Sequence, residues 1–443
     1  MLRLFLMSTL LVLKCAANPN AVGQLPIMGW SGYNALMQAS GKMCDNRGNV
    51  LSYNESTVLE TADFLVSSGL AARGYVYLNL DDCWSGPNRT SDGKLSPNAT
   101  RFPHGMAWLA SQLNDKGGLK LGLYAAASLL TCRGFPGSQG YEEVDAATFA
   151  SWGASFAKLD TCGGILANGT ESWIQQYSRW SAALNATGRQ MVFSCSWPGA
   201  WAHCVETLGP NATCGASPIP VMAHICHQWR YDYDDQATWS DANYVPGDTG
   251  GGIGDILYKA AVDPIFTAMR AVTGRGAFQD PDFLVVGCPT DGPCFPNNPV
   301  PPGPGMSRVE QRLQFSMWCL LAAPLIVGSD LRLADAYALE TLLNADAVSI
   351  NQDPLVALPR VVTWTNATLS GVWARTMANG DEAVVLLNLG PDAVQMSVAM
   401  ADLGFNAGGT VFNVWSKATT QAKVSFSALV PSHDALLLRI TPK

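Results

Sequence analysis

Between about residue 25 and residue 350, short apolar runs alternate with longer stretches whose apolar residues recur at helical spacing. The runs are "PIMGW" (26–30), "GYVYLNL" (74–80), "LKLGLYA" (119–125), "SFAKL" (155–159), "MVFSCS" (191–196), "AHICHQW" (223–229), "DFLVVG" (282–287) and "PLIVGS" (324–329). Between them lie patterns such as "TVLETADFLVSSGLAARG" and "MAWLASQLNDKGG". Strand–helix alternation with near-continuous apolar strands predicts an α/β fold, a parallel sheet covered by helices. Eight such runs over this length predict a (β/α)8 TIM barrel with loop insertions, spanning 18–355. A doubly wound open sheet is the alternative, but no Gly-x-Gly-x-x-Gly follows the first run.

After "INQDPL" (350–355) the pattern changes. "GVWARTM", "DEAVVLLNL", "AVQMSVAM", "GTVFNVWS", "AKVSFSAL" and "DALLLRIT" are short β-like runs separated by turn residues. They predict a C-terminal antiparallel β-sandwich over 356–443. The Pro/Gly-rich insertion "CPTDGPCFPNNPVPPGPG" (288–305) reads as a surface loop with Cys288 and Cys294 as a candidate staple, because barrel-like sequence resumes after it.

The chain has 443 residues and a formal net charge of −8. That balance argues against nucleic acid and anionic membranes as partners and fits a neutral ligand. Residues 1–17 have a basic start, an apolar run and small residues, the pattern of a signal peptide. Seven Asn-x-Ser/Thr acceptors agree with an exported chain: Asn54, Asn88, Asn98, Asn168, Asn185, Asn211 and Asn366. The expected address is the secretory pathway, ending outside the cell or in a lysosome or vacuole. Of 12 cysteines, Cys15 falls in the leader and Cys319 in an apolar run, where it reads as a buried thiol. Ten remain, an even number, as a disulfide framework requires. Their spacings match no zinc pattern, so neither a metal nor another cofactor is expected.

In a barrel, functional groups sit where strands end. Polar residues collect there. Trp30 ends the first run, Asp81 and Asp82 the second, Tyr124 the third, Lys158 and Asp160 the fourth. Ser196 and Trp197 end the fifth, Arg230, Asp232, Asp234 and Asp235 follow the sixth, and Asp280 and Asp282 flank Pro281 before the seventh. Taken singly, each Asp reads as a helix cap or turn residue, and Lys158 with Asp160 as a structural ion pair. Together, many carboxylates, two cations and aromatic rings on one rim suit a sugar, which offers hydroxyls and a C–H face. Cysteines fall at the same pole. Pairing Cys132 with Cys162 and Cys195 with Cys226 would tie adjacent loops beside the site, and Cys44 with Cys83 would tie the first loop to the second strand.

"MGWSGYNA", "YLNLDDCW", "FPHGMAWLA", "GLYAAASLLTCRGFPGSQGY", "FAKLDTCGG", "FSCSWPG", "QDPDFLVVG", "LAAPLIVGSDLR" and "INQDPL" closely resemble glycoside hydrolase family 27, the α-galactosidase/α-N-acetylgalactosaminidase family. The resemblance implies a barrel with a C-terminal antiparallel domain, a retaining mechanism and no metal. Asp160 matches the family's nucleophile and Asp234 its general acid/base. Asp81 and Asp82 match the pair gripping the 4- and 6-hydroxyls of galactose. Lys158 and Arg230 match cations near the ring hydroxyls, Trp30 and Tyr124 the aromatic walls, and Cys132–Cys162 a bridge at the pocket edge. Retention calls for carboxyl groups about 5–5.5 Å apart.

The chain departs from the family pattern at Ala126, Phe278 and Gln279, where Asp, Trp and Asn are usual. In the loop after strand five, Ser196 and Gly199 resemble the small residues of acetamido-tolerant members, which implies room for a 2-acetamido group and a preference for α-N-acetylgalactosaminides. Strict α-galactosidase or β-L-arabinopyranosidase activity are alternatives within the family, and a lectin-like sugar-binding protein is the non-enzymatic one. The expected partner is a glycan with a terminal α-galactosyl-type sugar; a homodimer stays open.

Overall fold

The computed structural model describes residues 22–34, 36, 53–162, 172–208, 214, 216–232, 234–239, 251–291 and 305–443. The leader 1–17, Cys44, Cys294, Asn168 and Asn211 lie outside the described residues. An eight-stranded parallel sheet forms the first part: β1 (Met28–Ser31), β2 (Tyr77–Asn79), β3 (Lys120–Ala126), β4 (Phe156–Asp160), β5 (Val192–Cys195), β6 (Gln228–Arg230), β7 (Phe278–Asp280) and β8 (Leu325–Val327). The order is β8-β1-β2-β3-β4-β5-β6-β7. The sheet curls shut through a parallel bridge between Leu284 and Val327. Strand neighbours therefore run in sequence order, and the fold is a (β/α)8 barrel.

Two predicted strands are displaced. Residues 222–225 form a helical turn, so β6 begins only at Gln228. The seventh strand is Phe278–Asp280 and not 282–287. Asp282 has φ of +80°, a left-handed conformation that breaks a strand. Beyond it, the Val285 and Gly287 N–H groups donate to the side-chain carbonyls of Gln314 and Gln311, at 2.9 and 3.0 Å. Two buried glutamines on the helix Arg308–Leu321 thus replace a strand ladder. Asp280 consequently ends a strand at the same pole as Asp160.

The C-terminal part is an antiparallel sandwich: β9 (Arg360–Thr365), β10 (Ser370–Thr376), β11 (Glu382–Asn388), β12 (Val394–Ala399), β13 (Gly409–Asn413), β14 (Thr419–Ala422), β15 (Ser425–Val430) and β16 (Asp434–Pro442). The six-stranded sheet runs β9-β10-β11-β16-β13-β14, and β12 pairs with β15. Side chains alternate between faces along a strand. Val372, Val384, Leu386 and Leu438 pack with Met396, Val398 and Val430 inside the sandwich. Trp373, Val385, Leu387 and Leu437 belong to the barrel's own core cluster, which includes the helix Arg308–Leu321. Both faces of the central strands are buried, so β11 is apolar from Ala383 to Leu387, without alternating polar positions, between a buried Glu382 and a buried Asn388.

Beneath the site, His227 is buried and its Nδ1 accepts the Phe193 N–H at 3.0 Å. Burial pushes this imidazole down to about 4. A histidine that must stay neutral stabilises the fold above its unfolded pKa of about 6.5 and loses that contribution as pH falls towards 4, about 3 kcal/mol in all. Asparagine at this position offers Oδ1 to the same N–H but does not titrate. We therefore expect His227→Asn to gain stability relative to the wild type between pH 7 and pH 4.5, measured by urea denaturation. A difference between the two proteins that does not change with pH would remove this account.

Candidate active site

Registers across the barrel fix the site. Tyr124 pairs with Lys158, Ala126 with Asp160, Lys158 with Ser194, and Arg230 with Asp280. Lys158 and Asp160 are two residues apart and share a face of β4. Asn79, Asp81, Lys158, Ser194, Gln228, Arg230, Asp280 and Asp282 line a small cavity inside the C-terminal mouth.

Asp160 is held from two sides. The Tyr124 hydroxyl donates to Oδ2 at 2.9 Å and the Thr161 N–H to Oδ1 at 2.8 Å. The Cys132–Cys162 disulfide packs beside it, with Cys162 Sγ 3.3 Å from Oδ2. Cys132, Cys162 and Asp160 gather three ligand-type atoms. The two sulfurs are bonded to each other, however, so neither is the thiolate a metal would need.

Lys158 Nζ lies 2.7 Å from Asp81 Oδ2. Burial works against its charge, but Asp81, Asp160 and Asp234 together outweigh it and raise the lysine pKa. One ammonium thus senses both candidate catalytic carboxylates. Rings of Tyr33, Tyr124 and Phe283 surround it at 6.0, 5.4 and 5.7 Å. Burial pushes Asp82 up to about 6, against the N–H groups of Cys83 and Arg133 that favour its charged form. Burial also raises Asp81, against the opposing pull of Lys158.

On the opposite wall, Arg230 is buried and forks. Nη1 reaches Asp234 at 3.1 Å and Nη2 reaches Asp282 at 2.8 Å. Asp282 Oδ2 also accepts the Asp235 N–H at 2.9 Å. Burial pushes Asp282 up to about 7 in spite of Arg230. Asp234 itself is 62% exposed, at the mouth. Arg230 thereby holds an exposed carboxylate at the entrance and a buried one behind it.

Of the proposed residues only Asp81, Lys158 and Arg230 line this cavity; Asp82, Tyr124, Asp160 and Asp234 stand outside its lining, as do three others. Trp30 is wholly buried and its Nε1 donates to the Ser329 carbonyl, so it supports the rim from inside the core. Ser196 begins the loop after β5, its N–H bonded to Leu159 O. Gly199 does not open space. A Cβ there would lie 2.5 Å from the Asp232 carbonyl oxygen and 3.1 Å from Arg230 Cβ. The room expected from its missing side chain is already filled by backbone. Two residues here are given no place in the site by the sequence, Tyr33, whose hydroxyl accepts from Arg133 at 3.1 Å, and Phe283, while Asp282 is placed in the polar cluster without a role. The signal for Asp282 was present, since it stands in the same polar cluster.

Further bridges join Cys195 to Cys226 and Cys204 to Cys214. Cys83 and Cys288 are also disulfide-bonded, and Cys319 is a buried free thiol. Among the described residues, no helix is long and apolar enough to cross a membrane.

A barrel that gathers carboxylates and cations at its C-terminal mouth is a setting in which a glycosidase can work, and its relatives place the chain in that class. The chain belongs to glycoside hydrolase family 27. The family model "Alpha galactosidase A" matches residues 25–353, and "Alpha galactosidase C-terminal beta sandwich domain" matches 369–440. The α-galactosidase of Cyamopsis tetragonoloba is 35% identical over 96% of this chain and 88% of its own length. Human alpha-galactosidase A is 33% identical over 87% of this chain and 79% of its own. Among solved structures, α-galactosidase I of Mortierella vinacea superposes with a TM-score of 0.79 at 25% identity, covering 96% of this chain and 99% of that one.

Proposed function

We propose that this chain is a retaining exo-α-glycosidase that removes terminal α-linked galactose, with Asp160 as nucleophile and Asp234 as acid/base. The observation carrying this is the Lys158 ammonium, bonded to Asp81 at 2.7 Å and sharing a strand face with Asp160, while Arg230 holds Asp234 at 3.1 Å. Asp81 and Lys158 offer an acceptor and a donor to neighbouring hydroxyls, and Tyr33, Tyr124 and Phe283 offer faces to the sugar's C–H edge. The names of the relatives agree with galactose as the sugar. Passage through the secretory pathway belongs to the same reading, supported by the apolar leader and the disulfides.

The 2-position of the sugar is read differently from the loop sequence alone. With Gly199 backed by the Asp232 carbonyl, tolerance of a 2-acetamido group rests on Ser196. α-Galactosides are therefore the preferred substrates and α-N-acetylgalactosaminides the tolerated ones. The test is a panel of p-nitrophenyl α-galactoside, α-N-acetylgalactosaminide and β-L-arabinopyranoside, repeated with Ser196→Glu. Adding a carboxylate beside the 2-substituent should widen the galactose preference by about tenfold. A wild type that favours the acetamido sugar or the arabinoside overturns the preference. Binding without turnover on all three would mark a lectin.

A further inference from the structure

One acceptor asparagine differs from the other six. In "WTNAT", Asn366 alone has an aromatic residue two positions before it; the others have Ser, Gly, Ser, Leu, Ala and Gly there. The motif lies at the turn from β9 to β10, and residues 365–368 are exposed. Residues two apart at the end of a strand face the same way. Trp364 and Asn366 do so, and Trp364 Nε1 donates to Asn366 Oδ1 at 2.7 Å. That bond orients the carboxamide, because an indole N–H can meet only its oxygen. Nδ2, the atom that an N-linked sugar takes, has no part in that bond. The oxygen keeps its lone pairs after modification, so the hydrogen bond survives it.

The indole is itself fixed. Its cross-strand partner is Gly371, where a Cβ would come within 2.6 Å of Trp364 Cε3. One ring face therefore rests on bare backbone. Tyr258, itself exposed on the helix Ile253–Val262, flanks it with ring centroids 6.2 Å apart. An immobilised, part-exposed ring beside a second exposed aromatic loses little entropy when another apolar face covers it. The C–H face of a hexosamine is such a face.

We propose that Asn366 carries an N-linked glycan whose innermost sugar packs on Trp364 and stabilises the turn; this rests on the secretory passage proposed above. In the attachment, a bond forms between Nδ2 and C1 of an oligosaccharide held on a polyprenyl diphosphate. The C1–O bond to the diphosphate breaks, and one amide proton is lost to the transferase.

The test is secreted expression of the full chain in a glycosylating eukaryotic host, followed by glycopeptide mass spectrometry. Wild type, Asn366→Gln, Trp364→Ala and the double variant are then melted. Asn366 should be occupied, and Asn366→Gln should lower the melting temperature by about 1–2 °C in the wild type. In the Trp364→Ala background the same change should have no effect. If Trp364→Ala is not secreted, Trp364→Phe keeps a ring face and should retain the shift. Trimming the folded wild type to a single sugar should also leave its melting temperature unchanged. An unmodified Asn366 beside other occupied acceptors overturns the site and leaves the secretory reading standing, whereas a chain with no glycan overturns both. An equal shift with and without Trp364 overturns the stacking.

Discussion

Asp160→Asn is expected to lower turnover of any substrate by about 10⁴-fold or more while the protein stays folded. An amide is a poor nucleophile and forms no glycosyl ester, so the covalent route closes. The fold should tolerate the change. Asparagine has the same shape and still accepts one of the two donors on Asp160, the Tyr124 hydroxyl or the Thr161 N–H. Losing the other costs about 1–2 kcal/mol. Asp234→Ala separates the roles: with substrates whose leaving group needs a proton the loss should be about 10²–10⁴-fold, and with an activated aryl glycoside much smaller. Proton NMR of the first-formed sugar should show the α-anomer. Near-normal rates in Asp160→Asn, or a β-product, would displace the assignment.

Where the chain's periodicity agreed with its folding, the site was legible. Lys158 and Asp160 were placed on one face of one strand by their spacing, and the register then sets them beside Tyr124 and Ser194. Where backbone groups are satisfied by side chains, periodicity misled. The run "DFLVVG" is apolar enough for a strand, but Asp282 turns left-handed and distant glutamines take the N–H groups that a ladder would use. The sixth run failed for a related reason, since an apolar turn of helix and an apolar strand look alike over four residues. Gly199 shows a third kind of limit. Its lack of a side chain reads as space until the Asp232 carbonyl, from the loop after another strand, is seen against it. Trp30 carries the same ambiguity: a ring at a strand end can face a pocket or support it, and this one is buried with its Nε1 donating to Ser329 O.

Outside the proposed catalytic pair, emptying Arg230 should be the most damaging change. It is buried among carboxylates, and burial, which alone would lower its pKa, is outweighed by Asp282, Asp234, Asp280 and Asp235, so the pKa is raised. Arg230→Ala removes the cation and strands Asp282 without its 2.8 Å partner, an expected loss of about 3–5 kcal/mol at pH 7.5. The sign of its pH dependence follows from the carboxyls. Asp282 already sits at about 7 with the guanidinium beside it, and without it must rise further. A carboxyl whose folded pKa is raised stabilises the fold at low pH, and that stabilisation is lost as pH climbs through the folded value. The deficit of Arg230→Ala should therefore shrink on acidification from pH 7.5 to 5, as the stranded carboxyls take up protons. Arg230→Lys restores one charge but not the fork that spans Asp282 and Asp234. It should recover part of the stability while kcat/KM stays about 10²-fold down, because Asp234 is no longer held at the mouth. Urea denaturation at the two pH values, with kinetics on a poor leaving group, measures both. A deficit that grows on acidification would mean that Arg230 is not the counter-charge of this cluster.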